Sequence, residues 1–277
     1  MHEDDPQLDL PTPSQAPRPW LDWLLLACGL GVIVAIWFIT PGGLLDKADH
    51  VGYAVCHQLP IRTPFFDGRP LPLCARCSGQ FLGALAGLAL LIVLGRGKAA
   101  QLPPRPVIVV LLGFLAAWAL DGFNSYLTFF PGVPHLYEPH NILRTTTGAM
   151  QGVALISLVL PFFNVTLWAR PDQRPTIGSL REVLWLLGLI ALIVAAVGSE
   201  WAPLLYPLAL LSVAGTLMML TLVTTMLLTL ALRRDGRAQS WRDALPLLIA
   251  GLALALLIVL GINLLRAWLT AELGLPF

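Results

Sequence analysis

Charge is scarce along this chain. Only 12% of its 277 residues are Asp, Glu, Lys or Arg, and 17 basic against 16 acidic side chains leave a net charge of +1. No basic run interleaves with aromatics, which excludes a nucleic-acid surface. A Gly-rich phosphate loop, H-E-x-x-H and G-x-S-x-G are all missing, so the usual nucleotide-binding, metalloprotease and serine-hydrolase signatures do not apply. No repeat of fixed period and no solvent-exposed domain can be picked out. Cysteine is sparse as well, with four in the chain, but three of them fall between positions 56 and 77.

What is abundant is hydrocarbon. Hydrophobic residues make up 57% of the chain and the mean hydropathy is +0.76, values of the membrane class. A spanning helix needs about 20 mainly apolar residues, because its backbone polar groups must be satisfied within the segment. Seven stretches qualify: Trp20–Thr40, Cys77–Leu94, Val107–Phe129, Thr145–Trp168, Val183–Gly198, Leu204–Leu232 and Ala244–Leu269. They are separated by breaks rich in Pro, Gly and charge, such as "GRGKAAQLPPRP" and "ARPDQRPTIGS". The fifth is short and its boundary with the sixth, near Glu200 to Pro207, admits a count of six instead. The expected fold class is an all-α, polytopic transmembrane helix bundle of about seven spans, multi-pass in the cell membrane.

Within that plan, residues 1–19 are expected to form an acidic, proline-rich, disordered tail without the basic start of a signal peptide. Residues 20–168 form a membrane core that holds the polar motifs, and residues 169–277 supply the C-terminal transmembrane helices. With the N-terminus inside, the inner segments carry Arg18, Arg96, Lys98, Arg105, Arg170, Arg174, Arg181, Arg233, Arg234, Arg237 and Arg242. The outer segments carry only Lys47, Arg62, Arg69, Arg76, Arg144 and Arg266, so the excess of basic residues places the N-terminus inside.

One consequence is chemical. The connections Pro41–Arg76 and Phe130–Arg144 then emerge on the same face, and they hold His50, His57, His135 and His140 together with Cys56 and Cys74, Cys77 lying at their edge. Cys74 and Cys77 form C-x-x-C, a spacing that lets two thiolates share a tetrahedral ion or close a disulfide. Cys56-His57 stands upstream at a distance common between the two halves of a zinc site. The candidate metal ligands are therefore Cys56, His57, Cys74 and Cys77, with zinc as the expected ion. Adjacent residues rarely both coordinate well, so His57 can instead orient the site, with His140 or His50 as fourth ligand. A structural disulfide and a redox pair remain open, since a helix start and Arg76 would both lower a thiol pKa. Cys28, inside the first span, is expected to be a small buried hydrophobe.

Two further patterns surround the cysteines. Gly79, Gly83 and Gly87 form a four-residue stripe that lets membrane helices approach closely. In "ALDGFNSYLTFF", Asp121 and Asn124 share a helix face within an apolar span, where a carboxylate is costly unless paired or facing a polar cavity. Across the loop, "YEPHNILRTTTG" offers Glu138, His140, Asn141, Arg144 and Thr147, and Asp121 with Arg144 is the expected ion pair. Asp121 and Glu138 are the candidate proton-transfer residues. Arg62, Arg76, Asn124, Asn141, Arg144 and Thr147 are the candidate substrate contacts. Thr221, Thr225 and Thr229 read as interhelical packing, and Glu200, Asn263 and Arg266 as anchors near the outer boundary.

C-H-Q-x-P-x-R at Cys56 to Arg62, then L-P-x-C-A-R-C-x-G at Leu71 to Gly79, resembles the prokaryotic family called domain of unknown function 2085. Asp121-Gly122, Asn141, Leu143-Arg144 and Thr147-Gly148 resemble its looser second block, so the likeness covers about residues 50 to 155. Thr63-Pro64 stands where the family more often has Ser-Phe, and Phe81 where Tyr is common, but neither departure touches a candidate ligand. The resemblance implies architecture and motifs, with no reaction attached. Three functions follow from the residues: a metal-dependent enzyme acting on a lipid or anionic substrate, a thiol–disulfide oxidoreductase using Cys74 and Cys77, and a transporter using Asp121. The expected partners are the lipid bilayer and such a substrate, with no nucleic acid, and oligomeric state is left open.

Overall fold

The computed structural model describes residues 19–130 and 132–273, so the tail expected over residues 1–19 lies, apart from Pro19, outside the described residues. Eight α-helices follow one another: α1 (Pro19–Ile39), α2 (Leu44–Val55), α3 (Ala75–Val93), α4 (Arg105–Leu127), α5 (Asn141–Leu167), α6 (Leu180–Gly198), α7 (Leu205–Ala231) and α8 (Trp241–Leu273). All except α2 are long and apolar enough to cross a membrane, which gives seven spans among the described residues. The uncertain boundary after the fifth span resolves into a single 3-10 turn, Ala202–Leu204, between α6 and α7. The chain is thus an all-α, multi-pass membrane bundle.

Helix α5 is the axis of the bundle. Sixteen of its residues are buried, from Arg144 to Leu167, and α3, α4 and α6 pack around it. The tightest contact is with α3, and it is made by glycine. A Cβ at Gly79 would lie 2.2 Å from the Thr145 carbonyl oxygen, and one at Gly83 2.5 Å from that of Ala149. In the reverse direction, a Cβ at Gly148 would lie 2.1 Å from the Arg76 carbonyl oxygen, and one at Gly152 1.8 Å from that of Gln80. The backbones themselves touch, as the small-residue stripe on α3 requires. The matching Gly148 and Gly152 on α5 are what the stripe packs against. The same device recurs at Gly215 of α7, whose Cβ would meet the Phe81 carbonyl oxygen at 2.2 Å.

The connection between α1 and α3 is more ordered than a plain loop. Leu45, Ala48, Val51, Gly52 and Ala54 bury one face of α2, the i, i+3, i+4 pattern of a helix lying on a surface. The helix is only 12 residues long, too short for a spanning segment. It starts where Gly43 N–H donates to Asp46 Oδ2 at 2.7 Å, and its C-terminal carbonyls are taken by α8. Arg266 donates to the Tyr53 and Cys56 carbonyls, and Asn263 Nδ2 to that of His50 at 2.8 Å. A guanidinium at a helix C-terminus also complements the helix dipole. A two-residue hairpin, β1 (Phe65–Phe66) with β2 (Arg69–Pro70), then folds the chain back with Phe66, Leu71 and Leu73 buried beneath it.

The opposite end of the bundle is closed by a parallel ladder of β3 (Ala99–Gln101) and β4 (Asp172–Pro175). Asn164 at the end of α5 donates to the Gly97 and Ala99 carbonyls and accepts from Trp168 Nε1 at 3.0 Å. Cys28 departs from expectation. It is exposed on α1, because that helix packs mainly on α8 and turns most of its surface outward.

The α3–α5 contact yields a direct test. A methyl group added at Gly152 has no room against backbone, and overpacking of this kind costs roughly 1–3 kcal/mol. Gly152→Ala should lower the thermal unfolding midpoint in detergent by several degrees. Gly113→Ala on α4, where nothing lies within 4 Å of the added carbon, should hold or raise it.

Candidate thiol and arginine site

The site is built where the start of α3, the end of α4 and the start of α5 meet. Three cysteine sulfurs, from Cys56, Cys74 and Cys77, all lie within 4.8 Å of one another. Cys56 follows the last residue of α2 in extended conformation, and Cys74 occupies the N-cap of α3, which puts Cys77 one turn into the helix. Two backbone groups converge on the Cys56 sulfur: Cys74 N–H at 3.3 Å and Gln58 N–H at 3.5 Å. Gln58 reaches this position in the left-handed region, φ 49°, and its side chain ties the Pro72 carbonyl at 2.7 Å. Gly52 is needed opposite, since a Cβ there would sit 2.0 Å from the same carbonyl oxygen. The glutamine of C-H-Q therefore clamps the two halves of the thiol loop together.

The thiols share protons unevenly. Hydrogen bonds from Cys56 and Cys77, with the N–H groups of Cys77 and Arg76, hold the Cys74 thiol well below its ordinary range. Cys56 is pushed up to about 11, chiefly by its hydrogen bond with Cys74. All four cysteines are free. Among the described residues no histidine, aspartate or glutamate donor joins the three sulfurs. His57 is exposed and lines the cavity beside them, because consecutive residues in extended backbone point to opposite sides. His140 and His50 are exposed too, and His50 Nδ1 lies 2.8 Å from the Asp46 carbonyl oxygen.

A cavity of about 340 Å³ opens over the thiols. Its polar wall is Arg62, Arg76 and Arg144, and its apolar wall includes Leu59, Tyr126 and Phe129. Arg62 stacks 4.1 Å over the Phe129 ring and donates to the Ser125 carbonyl at 3.0 Å. Arg144 is 5% exposed; it donates to Asn141 Oδ1 at 3.0 Å, while its Nε finds no partner. The Nε atoms of Arg62 and Arg76 are unpartnered as well.

Asp121 is the pivot of the layer beneath. The expected Asp121–Arg144 pair does not form. Arg76 takes that place, its Nη2 on Asp121 Oδ2 and on Ser125 Oγ at 3.0 Å. One helical turn of α3 sets Arg76 between the thiols and α4, nearer the carboxylate than Arg144 on α5 comes. Tyr137 O–H donates to Asp121 Oδ1 at 2.9 Å and Thr147 Oγ1 to Oδ2 at 3.2 Å, so the carboxylate, 2% exposed, is fully engaged. Burial, and next the bond to Asp121, push the Tyr137 phenol up to about 12. Asn124 holds the loop above, accepting from Leu136 N–H at 2.6 Å and donating to the Tyr137 carbonyl at 2.9 Å. Glu138 stands apart, exposed and 2.8 Å from His135.

Of the sequence-derived candidates, Cys56, His57, Cys74, Cys77, Arg62, Arg76 and Arg144 thus face the cavity. Asp121 and Thr147 bond to one another beneath it, Asn141 steadies Arg144, Asn124 clamps the loop, and Glu138 lies outside. Sequence reasoning passed over Tyr137, Ser125, Gln58 and the full part of Arg266. Tyr137 was the readable one, a lone phenol between Leu136 and the charged Glu138 in a loop that must cover a buried acid.

A multi-pass bundle with clustered thiols and arginines at one end is the class this geometry defines. Residues 56–158 match the family described as predicted membrane protein, domain of unknown function 2085. An uncharacterised protein of Methanocaldococcus jannaschii is 28% identical over 109 residues, 39% of this chain and 64% of that one. A second, from Methanothermobacter thermautotrophicus, is 29% identical over 104 residues, 38% of this chain and 83% of its own length. The chain therefore spans just under two thirds of the first relative. No solved structure matches.

Two outcomes follow from the Asp121 network. Removing one member of a buried ion pair costs roughly 3–5 kcal/mol, because the other charge is left uncompensated. Arg76→Gln and Asp121→Asn should each destabilise the protein strongly, and the double variant by much less than their sum, read as a cycle of thermal midpoints. The Tyr137 phenol keeps its proton up to about pH 12, whereas an unfolded tyrosine loses it near 10. Its contribution to stability is complete below pH 10 and disappears as pH rises through 12. The wild-type ultraviolet phenolate titration minus that of Tyr137→Phe should show a step near pH 12.

Proposed function

We propose that Cys56, Cys74 and Cys77 bind one zinc-type ion, and that Arg62, Arg76 and Arg144 hold the anionic group of a lipid-derived or small-molecule substrate beside it. The observation that carries this reading is the three-sulfur cluster, with two N–H groups aimed at one sulfur, placed at the floor of a cavity whose polar wall is arginine. Tetrahedral zinc with bonds of about 2.3 Å sets its sulfurs about 3.8 Å apart, so the set, within 4.8 Å, closes on an ion with small movements. N–H donors to sulfur favour the thiolate that a metal requires.

Cys56, Cys74 and Cys77 would hold the ion with one ligand fewer than a closed four-ligand structural centre supplies. Bound there, zinc supplies Lewis acidity and a water acidified to near neutrality. The chain's own contributions are separate. Arg62 and Arg144 present unpartnered N–H groups to an anion, and Arg76, held by Asp121, Ser125 and the Asp121 carbonyl, is fixed in orientation. Tyr126 and Phe129 shield one side from water. In this arrangement Asp121 positions Arg76, and His57 at the cavity wall is the nearest group for moving a proton. The membrane in question is the cell membrane, with the thiol face outward.

A thiol–disulfide reading draws on a separate observation: Cys74 and Cys77 sit at the N-terminus of α3 with a third thiol in reach, enough to resolve a mixed disulfide. The transporter reading is weakened by the engagement of both Asp121 oxygens.

Metal content of detergent-purified protein decides between the first two. Plasma mass spectrometry should find about one zinc per chain, absent from Cys74→Ser and Cys56→Ser and retained in His57→Ala. No metal, together with a Cys74–Cys77 disulfide that cycles in cells, would replace the metal with redox chemistry. In the zinc-loaded protein, Arg144→Gln should weaken binding of inorganic phosphate about tenfold without releasing zinc.

A further inference from the structure

The cavity over the thiols is unbalanced in charge on one side and apolar on the other. Its lining holds Arg62, Arg76 and Arg144 and no carboxylate. Asp121 balances Arg76 from beneath, whereas Arg62 and Arg144 enter no ion pair among the described residues. Arg144 is almost wholly buried, and neither its Nε nor that of Arg62 finds a hydrogen-bond partner. Three thiolates around a divalent ion would carry a single net negative charge, which these two guanidinium groups outweigh. Planar guanidinium forks set around one space match the oxygens of a phosphate group.

The apolar wall leads into the bilayer. Leu112, Ala116, Leu120 and Phe123 of α4 are exposed at helical spacing, the face that this spanning helix turns to lipid, and Tyr126 continues their line into the cavity lining. Tyr126 stands edge-on to Phe129 and Phe130, with ring centroids 6.2 and 5.3 Å apart, and Phe129 lines the cavity as well. Clustered aromatic rings of this kind sit at a membrane interface. Ile61, between the lining residues Leu59 and Arg62, and Leu136, in the loop that Asn124 holds, are 80% and 81% exposed, so apolar surface continues beside the site. At about 340 Å³ the space is near the lower end for ligand cavities, enough for a head group and not for a pair of acyl chains. Basic pockets between transmembrane helices take phosphate-bearing head groups. A free phosphate would satisfy the guanidinium groups and leave the aromatic wall bare.

We infer that the cavity takes the phosphate head group of one membrane lipid, which enters sideways from the bilayer past Tyr126 and leaves its chains along the exposed face of α4. The substrate class of the proposed site is then a phosphate-bearing amphiphile, an assignment that rests on the arginine half of that proposal and not on its metal.

Native mass spectrometry of the full chain in detergent, titrated with phosphatidic acid, diacylglycerol or glycerol 3-phosphate, separates head group from chain. One phosphatidic acid should be retained at least tenfold more tightly than diacylglycerol, which lacks the phosphate, or glycerol 3-phosphate, which lacks the chains. Arg144→Gln should erase the preference over diacylglycerol. Arg62→Gln, at a half-buried position that tolerates substitution better, should reduce it severalfold. Tyr126→Ser should lower phosphatidic acid retention severalfold, and Leu112→Thr, on the same face of α4 but about four turns away, should not change it. Equal retention of phosphatidic acid and diacylglycerol, or a preference that survives both arginine variants, would overturn the inference. Retention unmoved by Tyr126→Ser would overturn the lateral route. Glycerol 3-phosphate bound as tightly as phosphatidic acid, and weakened by Arg144→Gln, would overturn the lipid assignment while the arginine reading stands. Zinc content measured on the same samples reports on the metal separately: phosphatidic acid retained by zinc-free protein would support this inference and remove the metal.

Discussion

Two helices that touch through their backbones hold the remainder in place. Gly79 and Gly83 on α3, with Gly148 and Gly152 on α5, leave no side chain between the two carbonyl ladders. Lipid gives membrane helices no hydrophobic reason to associate, so close van der Waals contact must supply it. This one junction fixes the register of α3 against α5. Register in turn sets Arg76 and Cys77 on one side of the cavity and Arg144 and Thr147 on the other. A shift of one turn, about 5.4 Å, would part the thiols and Arg76 from Arg144.

From that junction the polar site is assembled in layers. The thiols and three guanidinium groups face the cavity, and Asp121, Ser125, Tyr137 and Thr147 stand behind Arg76. Asp121 is thus less a reactive group than the counter-charge that allows an arginine to be held near the end of an apolar helix. Buried charge is tolerable there because each carboxylate oxygen has a donor. The loop at Leu136 and Tyr137 is held by Asn124, and the end of α2 with Cys56 by Arg266 and Asn263 from α8, so the C-terminal helix takes part in shaping a site to which it contributes no reactive group.

The two ends of the bundle differ in chemistry. One gathers sulfur and cation around a cavity walled by Tyr126 and Phe129. The other sets Asp22, Arg234 and Asp243 around a second cavity that holds no thiol. Between them hydroxyls bond to their own helix, as Thr229 Oγ1 does to the Thr225 carbonyl at 2.7 Å, or across to a neighbour, as Thr224 Oγ1 of α7 does to the Gly251 carbonyl of α8 at 2.8 Å.

Seven spans, the glycine stripe and the clustering of Cys56, Cys74 and Cys77 were legible from the sequence, because each is a local property: a run of hydrocarbon, a four-residue period, a short spacing. Helix α2 was not, since 12 residues with a half-buried face look like any connection until something lies beneath them. Nor was the partner of Asp121. The sequence pointed to Arg144, across the loop, and only the rotation of α3 against α4 selects Arg76. The fourth ligand had the same difficulty, with His57, His140 and His50 in reach on paper and, among the described residues, none joining the three sulfurs in space. Residue types and spacing determined which groups this protein could use. The glycine-to-backbone contact of α3 and α5 decided which of them meet, because the distances that govern ion pairs and metal sites are set by packing between segments and by nothing within one of them.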